Sequence, residues 1–401
     1  MAESSKPRTT LLAGCAAHGI QDGLSTAIYV LLPILAQTFG LNLGQVGLFK
    51  GLMSLAQAVL EIVSGHATER YGARRILLLG LLVSGAGYGF LSFANGSTIV
   101  LLSLIIIGIG GAFHHAPASA LISGAFAQKG RRRALGVYNS SGDAGKLIFT
   151  AVISLATLAA LSWQSVTLFY GLASLIAGIG IFQVLKLAQI GDSIKGLSDA
   201  AAGTPDTSLG WGILDRRKFS ALLATVFLDS MVQVGVLTFV AFVMIAKGVP
   251  TTAATLATVL VLIGGMFGKA LCGFLAEKIG VRPAFAILQG LTALGLVLLV
   301  ITSSTVAFAL LPILGVFVQG TTSITYVIVN DLIHPTRTAR GYSIIYAASA
   351  IASVIGPVGF GTIGDRFGIE TSMLVMAVIA ICAILPSWFL KTNIPASSKA
   401  A

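Results

Sequence analysis

The strongest constraint on this chain is a succession of apolar stretches, each about as long as a bilayer is thick, punctuated by short clusters of charged and turn residues. A helix needs roughly 20 mostly apolar residues to cross the hydrocarbon layer. Twelve stretches meet that length, near 11–38, 44–65, 76–93, 98–124, 135–160, 165–187, 219–246, 252–275, 284–303, 305–331, 342–364 and 370–391. Only 10% of residues are charged, against about 25% in an ordinary globular chain, so the soluble classes are excluded. A formal charge of +11 would suggest nucleic acid in a soluble protein, but here most basic residues lie between apolar runs, which rules out a basic DNA-binding domain. Cys15, Cys272 and Cys382 fall inside apolar segments without CxxC spacing, so neither a disulfide framework nor a zinc site is indicated. The polar start MAESSKPRTT runs straight into the first stretch, which is expected to be an uncleaved span with nothing preceding the membrane domain.

The basic residues orient the spans. With the loops alternating between two sides, 20 of the 25 Lys and Arg fall on one side; the other side's loops hold only Lys247 and Arg366, and Lys50, Lys146 and Lys269 lie inside spans. The positive-inside rule then places both termini and the long middle loop in the cytoplasm. The expected location is an integral, multi-pass position in a bacterial inner membrane. Residues 188–218 are rich in Gly, Asp, Ser and Pro and lie near the chain's midpoint, as a linker would. The expected organisation is all-α: a six-helix bundle over 1–187, a cytoplasmic linker over 188–218, and a second six-helix bundle over 219–401, the two bundles pseudo-symmetric.

An internal repeat supports that division. GHATERYGARR, from Gly65 to Arg75, and GFLAEKIGVRP, from Gly273 to Pro283, share the pattern Gly-x3-acid-base-x-Gly-x-base at an offset of 208. KGRRRALG (Lys129 to Gly136) and TRTARG (Thr336 to Gly341) echo each other at an offset of 205. Two homologous halves around a midplane site form the architecture of secondary transporters. The loop pattern after the second and eighth of twelve spans resembles the signature loop of the major facilitator superfamily, and the resemblance covers the whole chain. It implies a gating role for Gly65, Glu69, Arg70, Gly72 and Arg74, and for their counterparts Gly273, Glu277, Lys278, Gly280 and Arg282. The first Gly of each loop is expected to let helices approach closely, the second to permit the tight turn, and the charges to pair with neighbouring helix ends. Locally, HGIQDG (His18 to Gly23) and GIGGAFHHAP (Gly108 to Pro117) are similar to fosmidomycin-resistance-type exporters, which implies export. The fifth span departs from drug and proton antiporters: it reads GDAGKLIF (Gly142 to Phe149) where they usually carry Gly-Pro.

Ionisable groups inside the membrane are costly and normally face a cavity or a partner. His18 and Asp22 are four apart and share one face of the first helix. Asp22 is expected to carry a coupled proton, or alternatively to hydrogen-bond a broken backbone without titrating. Asp229 lies close to its repeat position and is the second candidate for proton coupling. His114 and His115 precede Pro117, which bends its helix. Adjacent helical residues diverge by about 100°, so one ring should point away, and the resemblance makes His114 the cavity-facing one; simple packing is its alternative. No metal is expected there, because no Cys or carboxylate lies beside the pair at ligand spacing. Asp143 and Lys146 are three apart on the fifth span, and Lys269 in the eighth is the repeat counterpart of Glu61. In the resembled family the fifth helix packs on the eighth, so an Asp143–Lys269 pair is expected; otherwise Lys146 serves as an anion-binding group. Snorkelling accounts for Lys50, near the start of the second helix.

Walker, calcium-loop and GxSxG patterns do not occur, which leaves ATP-driven transport and serine hydrolysis without support. Three functions compete: a proton-coupled exporter of a small polar or anionic solute or drug, an importer or facilitator of an organic anion, and an intramembrane enzyme. The duplicated halves favour transport over enzymology. The expected partners are a small-molecule substrate bound through His114, Lys146, Asp143 and Lys269, protons and the bilayer; no cofactor, nucleic acid or second subunit is expected. A double-mutant cycle tests the Asp143–Lys269 pair. Asp143→Asn and Lys269→Met should each reduce folding yield, with partial recovery in the double variant, because a lone buried charge costs more than losing both. Coupling confined to Asp143 and Lys146 would refute it.

Overall fold

The computed structural model describes residues 2–126, 128–192, 211–334 and 338–390, and within helices the side chains at 2–5, 128, 129, 132, 326, 327, 330 and 338–340 are outside the description. Fourteen helices carry the described chain: α1 (Ala2–Phe39), α2 (Leu43–Tyr71), α3 (Ala73–Ser92), α4 (Ser97–Gly111), α5 (His115–Ala125), α6 (Gln128–Leu158), α7 (Trp163–Leu187), α8 (Arg216–Ala246), α9 (Thr251–Ala254), α10 (Leu256–Ile279), α11 (Val281–Ile301), α12 (Ser304–Leu332), α13 (Thr338–Phe367) and α14 (Ile369–Ser387). Twelve spans long and apolar enough to cross a membrane result, each overlapping an expected one; α4 with α5 makes the fourth and α9 with α10 the eighth. Helices are the form required here, because lipid offers the backbone no hydrogen-bond partners.

The chain divides into two compact units, one from α1 through α7 and one from α8 through α14, the second also taking in 42–51 at the start of α2. In the first unit α1 packs on α6, and α3 on α4 and α7; in the second, α8 packs on α13 and α14, α10 on α12, and α11 on α14. The middle of the expected linker, 193–210, lies outside the described residues, as do parts of the basic loops at 129, 132, 337 and 340. Its flanks are tied down. Ile190, Gly191 and Asp192 meet Arg74, and Ile213 bridges Ile333.

Glycines set how closely the helices of the first unit approach. A Cβ on Gly145 of α6 would fall on the carbonyl of Gly19 of α1, and one on Gly23 would run into the Phe149 ring. The glycines of GDAGKLIF thus bring α6 against α1 backbone to backbone, the close approach that small residues allow. Among the described residues a Cβ on Gly65, the first glycine of its loop, would meet nothing within 4 Å, and one on Gly273 only Ser323 at 3.9 Å. The second glycines make the tight turns, since Gly72 and Gly280 hold φ of 86° and 91°, a region that favours glycine. Lys50 is 6% exposed, enclosed rather than snorkelling.

At the start of α2, Asn42 and Gln45 cap reciprocally: the Asn42 side chain accepts from Gln45 N at 2.8 Å and Gln45 Oε1 from Asn42 N at 3.0 Å. Leu43 N and Gly44 N donate to the two carboxylate oxygens of Asp365, each at 2.8 Å. All four amides of that terminus find acceptors.

Gly145→Ala should destabilise the first unit by about 1–3 kcal/mol, the usual cost of overpacking, and lower its thermal midpoint in detergent. Gly136→Ala on the same helix, where a Cβ would meet nothing within 4 Å, should leave the midpoint unchanged or raise it slightly, because Ala favours a helix over Gly by about 0.5–1 kcal/mol.

Candidate functional site

The first unit gathers its buried polar groups around Asp22. His18 and Asp22 stand one turn apart on α1, as their spacing dictates, with His18 Nε2 3.2 Å from Asp22 Oδ2. The fourth span breaks over Ala112–His114, between α4 and α5. Pro117 is the third residue of α5 and so sits in its first turn, where a missing N–H costs little. The break falls where the proline ring would otherwise meet the carbonyl four residues before it.

His114 is the N-cap of α5 with φ −125° and lies outside both helices. The expected 100° divergence from His115 therefore does not apply, and both rings reach Asp22. His114 Nε2 is 3.1 Å from Oδ1 and His115 Nε2 4.0 Å, and the two rings lie 3.7 Å apart. Lys146 of α6 completes the ring, with Nζ 3.0 Å from Asp22 Oδ2 and 3.5 Å from Asp143 Oδ1. Asp22, His18 and His114 are buried, at 6%, 4% and 2% exposure.

Hydrogen bonds to backbone fix the two inner rings. His114 Nδ1 donates to Gly111 O at 2.6 Å, a carbonyl released at the end of α4. His18 Nδ1 donates to Tyr138 O at 2.8 Å, and its ring stacks on Tyr138 at 4.0 Å. A carbonyl only accepts, so each Nδ1 holds its proton and each Nε2 is turned toward the carboxylate. Nε2 of each ring thus faces the carboxylate, as a donor when it carries a proton and as a ligand when it does not. Gly142 makes the space: a Cβ there would come within 2.5 Å of the His18 ring and 2.9 Å of Asp22 Oδ2. The ligand atoms of His18, Asp22, His114 and His115 all lie within 4.8 Å of one another. A carboxylate thus stands at ligand distance from the His pair after all, supplied by α1 rather than by their own helix.

Asp229 on α8 heads a separate polar group in the second unit. Gln289 Nε2 of α11 donates to its Oδ1 at 2.6 Å, Gln233 Nε2 to Oδ2 at 2.8 Å, and Thr321 Oγ1 of α12 lies 2.9 Å from both oxygens. Every one of these donors is neutral. Asp229 stands 207 positions after Asp22, and Thr321 the same distance after His114, so the repeat itself identifies Thr321 as the counterpart of His114. Lys269 is half-buried on α10.

At the loop of the first unit, Arg74 is buried and its Nη2 binds Asp192, its Nη1 donates to Ile190 O at 3.4 Å, and its guanidinium lies 5.2 Å over the Phe182 ring. Glu69 and Arg70 end α2 at the surface, with Arg70 over the Tyr71 ring. Glu277, Lys278 and Arg282 occupy the matching end of α10 and start of α11.

A family model described as Major Facilitator Superfamily matches residues 14–271 and 222–401. The chain belongs to the major facilitator superfamily. As a major facilitator it is similar to the MFS-type transporter YfnC of Bacillus subtilis, 24% identical over 376 residues that cover 92% of this chain and 89% of that protein. The hexuronate transporter of the same organism is 22% identical over 371 residues, covering 88% and 86%. Among solved structures, a bacterial homologue of the human lysosomal transporter Spinster, inward-facing and occupied, matches with TM-score 0.79 at 18% identity, over 95% of this chain and 96% of that one. These findings make the chain a multi-pass membrane transporter with the twelve-helix fold.

His115, Gly142 and Tyr138 were not singled out from sequence as members of the site. His115 becomes one through the helix break, and the other two through the contact of α1 with α6. Gly142→Ala should displace His18 and Asp22 and lower transport at least tenfold, while the Gly136→Ala control keeps wild-type rates; counterflow in proteoliposomes measures both.

Proposed function

We propose that the protein is a proton-coupled secondary transporter that exports a small hydrophilic solute by alternating access, with cargo held at the Asp22 cluster and the coupled proton on Asp229. The observation that carries this reading is the contrast between the two acids of the repeat. Asp22 carries the Lys146 ammonium on Oδ2 at 3.0 Å, so its charge is compensated in place. Among the described residues Asp229 is hydrogen-bonded only to Gln233, Gln289 and Thr321, so losing a proton leaves a net charge in the membrane interior, where charge costs about 2.5–3.5 kcal/mol or more. An acid of that kind gives up its proton when its unit opens to water and takes one back before closing. That is the behaviour coupling needs, and it moves the role from Asp22, where the sequence puts it, to its repeat partner. Export follows the local motifs at His18–Gly23 and Gly108–Pro117.

A second reading, transport of an organic anion on Lys146 and His114 with import as the alternative direction, draws on the similarity to a protein named for hexuronate. The geometry weighs against it: the Lys146 ammonium already sits 3.0 Å from Asp22 Oδ2 and 3.5 Å from Asp143 Oδ1, so carboxylates occupy the group an anion would bind. The signature-loop residues, with Arg74 locked onto Asp192, are proposed to gate the cytoplasmic side.

Proteoliposomes with an imposed pH gradient and an internal pH-sensitive dye test the assignment. Asp229→Asn should abolish gradient-driven accumulation but keep exchange, whereas Asp22→Asn should abolish both. Gradient-driven accumulation by Asp229→Asn at the wild-type rate overturns the assignment.

A further inference from the structure

Three of the five histidines in the chain meet one buried aspartate at the break in the fourth span. We propose that the Asp22 cluster binds a divalent transition-metal ion of the zinc and cobalt class, through Nε2 of His18, His114 and His115 and a carboxylate oxygen of Asp22. The inference rests on the reading of this cluster as the cargo site, and it names the cargo.

Spacing is the first argument. A tetrahedral ion with bonds of about 2.0–2.1 Å holds its ligand atoms roughly 3.3 Å apart. Around Asp22 Oδ1, His114 presents Nε2 at 3.1 Å and His115 at 4.0 Å, while His18 Nε2 lies 3.2 Å from Oδ2, so small ring movements bring the three nitrogens to one ion. The second argument is the support behind the ligands. Histidines on a metal almost always donate their other ring N–H to a carbonyl or carboxylate, which fixes the tautomer and the aim of the ring. His18 does so to Tyr138 O and His114 to Gly111 O. The third is the helix break: it allows two consecutive histidines to face one carboxylate, which an unbroken helix would forbid. Imidazole with one carboxylate suits zinc, cobalt or nickel, whereas calcium and magnesium require oxygen ligands.

Lys146 fits as the resident cation. Its ammonium sits on Asp22 Oδ2, with Asp143 as a second seat at 3.5 Å. An arriving ion takes the Asp22 oxygen, and the ammonium keeps a carboxylate partner by moving to Asp143. The lysine therefore competes with the metal and sets how easily the ion leaves.

Co²⁺ titration of the untagged, detergent-solubilised full chain tests the site, because tetrahedral Co²⁺ has intense visible bands that octahedral Co²⁺ lacks. One equivalent of Co²⁺ should give those bands and Zn²⁺ should displace them. Asp22→Asn and His114→Ala should lose them, and a variant with His66→Ala and His334→Ala should keep them. Lys146→Met should tighten binding about tenfold by removing the competing charge, a gain that a misfolded variant does not produce. Absence of tetrahedral bands, their survival in Asp22→Asn, or weaker binding by Lys146→Met overturns the proposal. Zn²⁺ and a panel of organic anions are then followed in proteoliposomes under a pH gradient. Movement of an organic anion with no Co²⁺ bands overturns the metal and leaves the transporter reading standing. Co²⁺ bands with no Zn²⁺ moved support the metal site and overturn its assignment as cargo.

Discussion

A carboxylate held within an apolar helix must be compensated, and the polar structure of the first unit is arranged around that requirement at Asp22. Asp22 is buried, so protein groups take the place of solvent: an ammonium on one oxygen and imidazole nitrogens facing both. Each compensating group is itself held. His18 and His114 are pinned through Nδ1 to backbone carbonyls, and Lys146 is shared with Asp143. The broken fourth span belongs to the same arrangement, since the carbonyl it releases at Gly111 is the one that orients His114.

This geometry is possible only because α1 and α6 touch along their backbones. Gly19, Gly142 and Gly145 leave no side chain between them, and any Cβ at 142 or 145 would occupy the space of the site or of the opposite helix. Without a hydrophobic driving force between helices in lipid, such close contact is also the main source of helix association. Packing and function are therefore carried by the same glycines.

The two units share a plan and differ in chemistry. An acid on the first helix of each repeat meets a partner from the fourth, 207 positions apart in both cases, but the partner is an imidazole in one unit and a threonine hydroxyl in the other. Duplication supplies the same scaffold twice, and substitution of a few contact residues changes what each acid can do. One is surrounded by basic groups and suited to hold a cargo ion; the other is surrounded by neutral donors and suited to change its own charge.

The number of spans, the division into halves, the repeat and the one-turn spacing of His18 and Asp22 were all determined by the sequence alone. These features depend on apolar length, on helical period and on recurrence along the chain, and each can be read within a single segment. The family itself followed from one loop pattern and its copy. Tertiary structure decided the rest. That Lys146 reaches Asp22, that His115 joins His114 and that Asp229 has neutral partners among the described residues all depend on which helix faces meet and on where a helix breaks. A linear pattern assigns residues to faces of their own helix. It does not say which face of another helix lies opposite, because that is set by backbone approach distances that single-residue differences at glycines control.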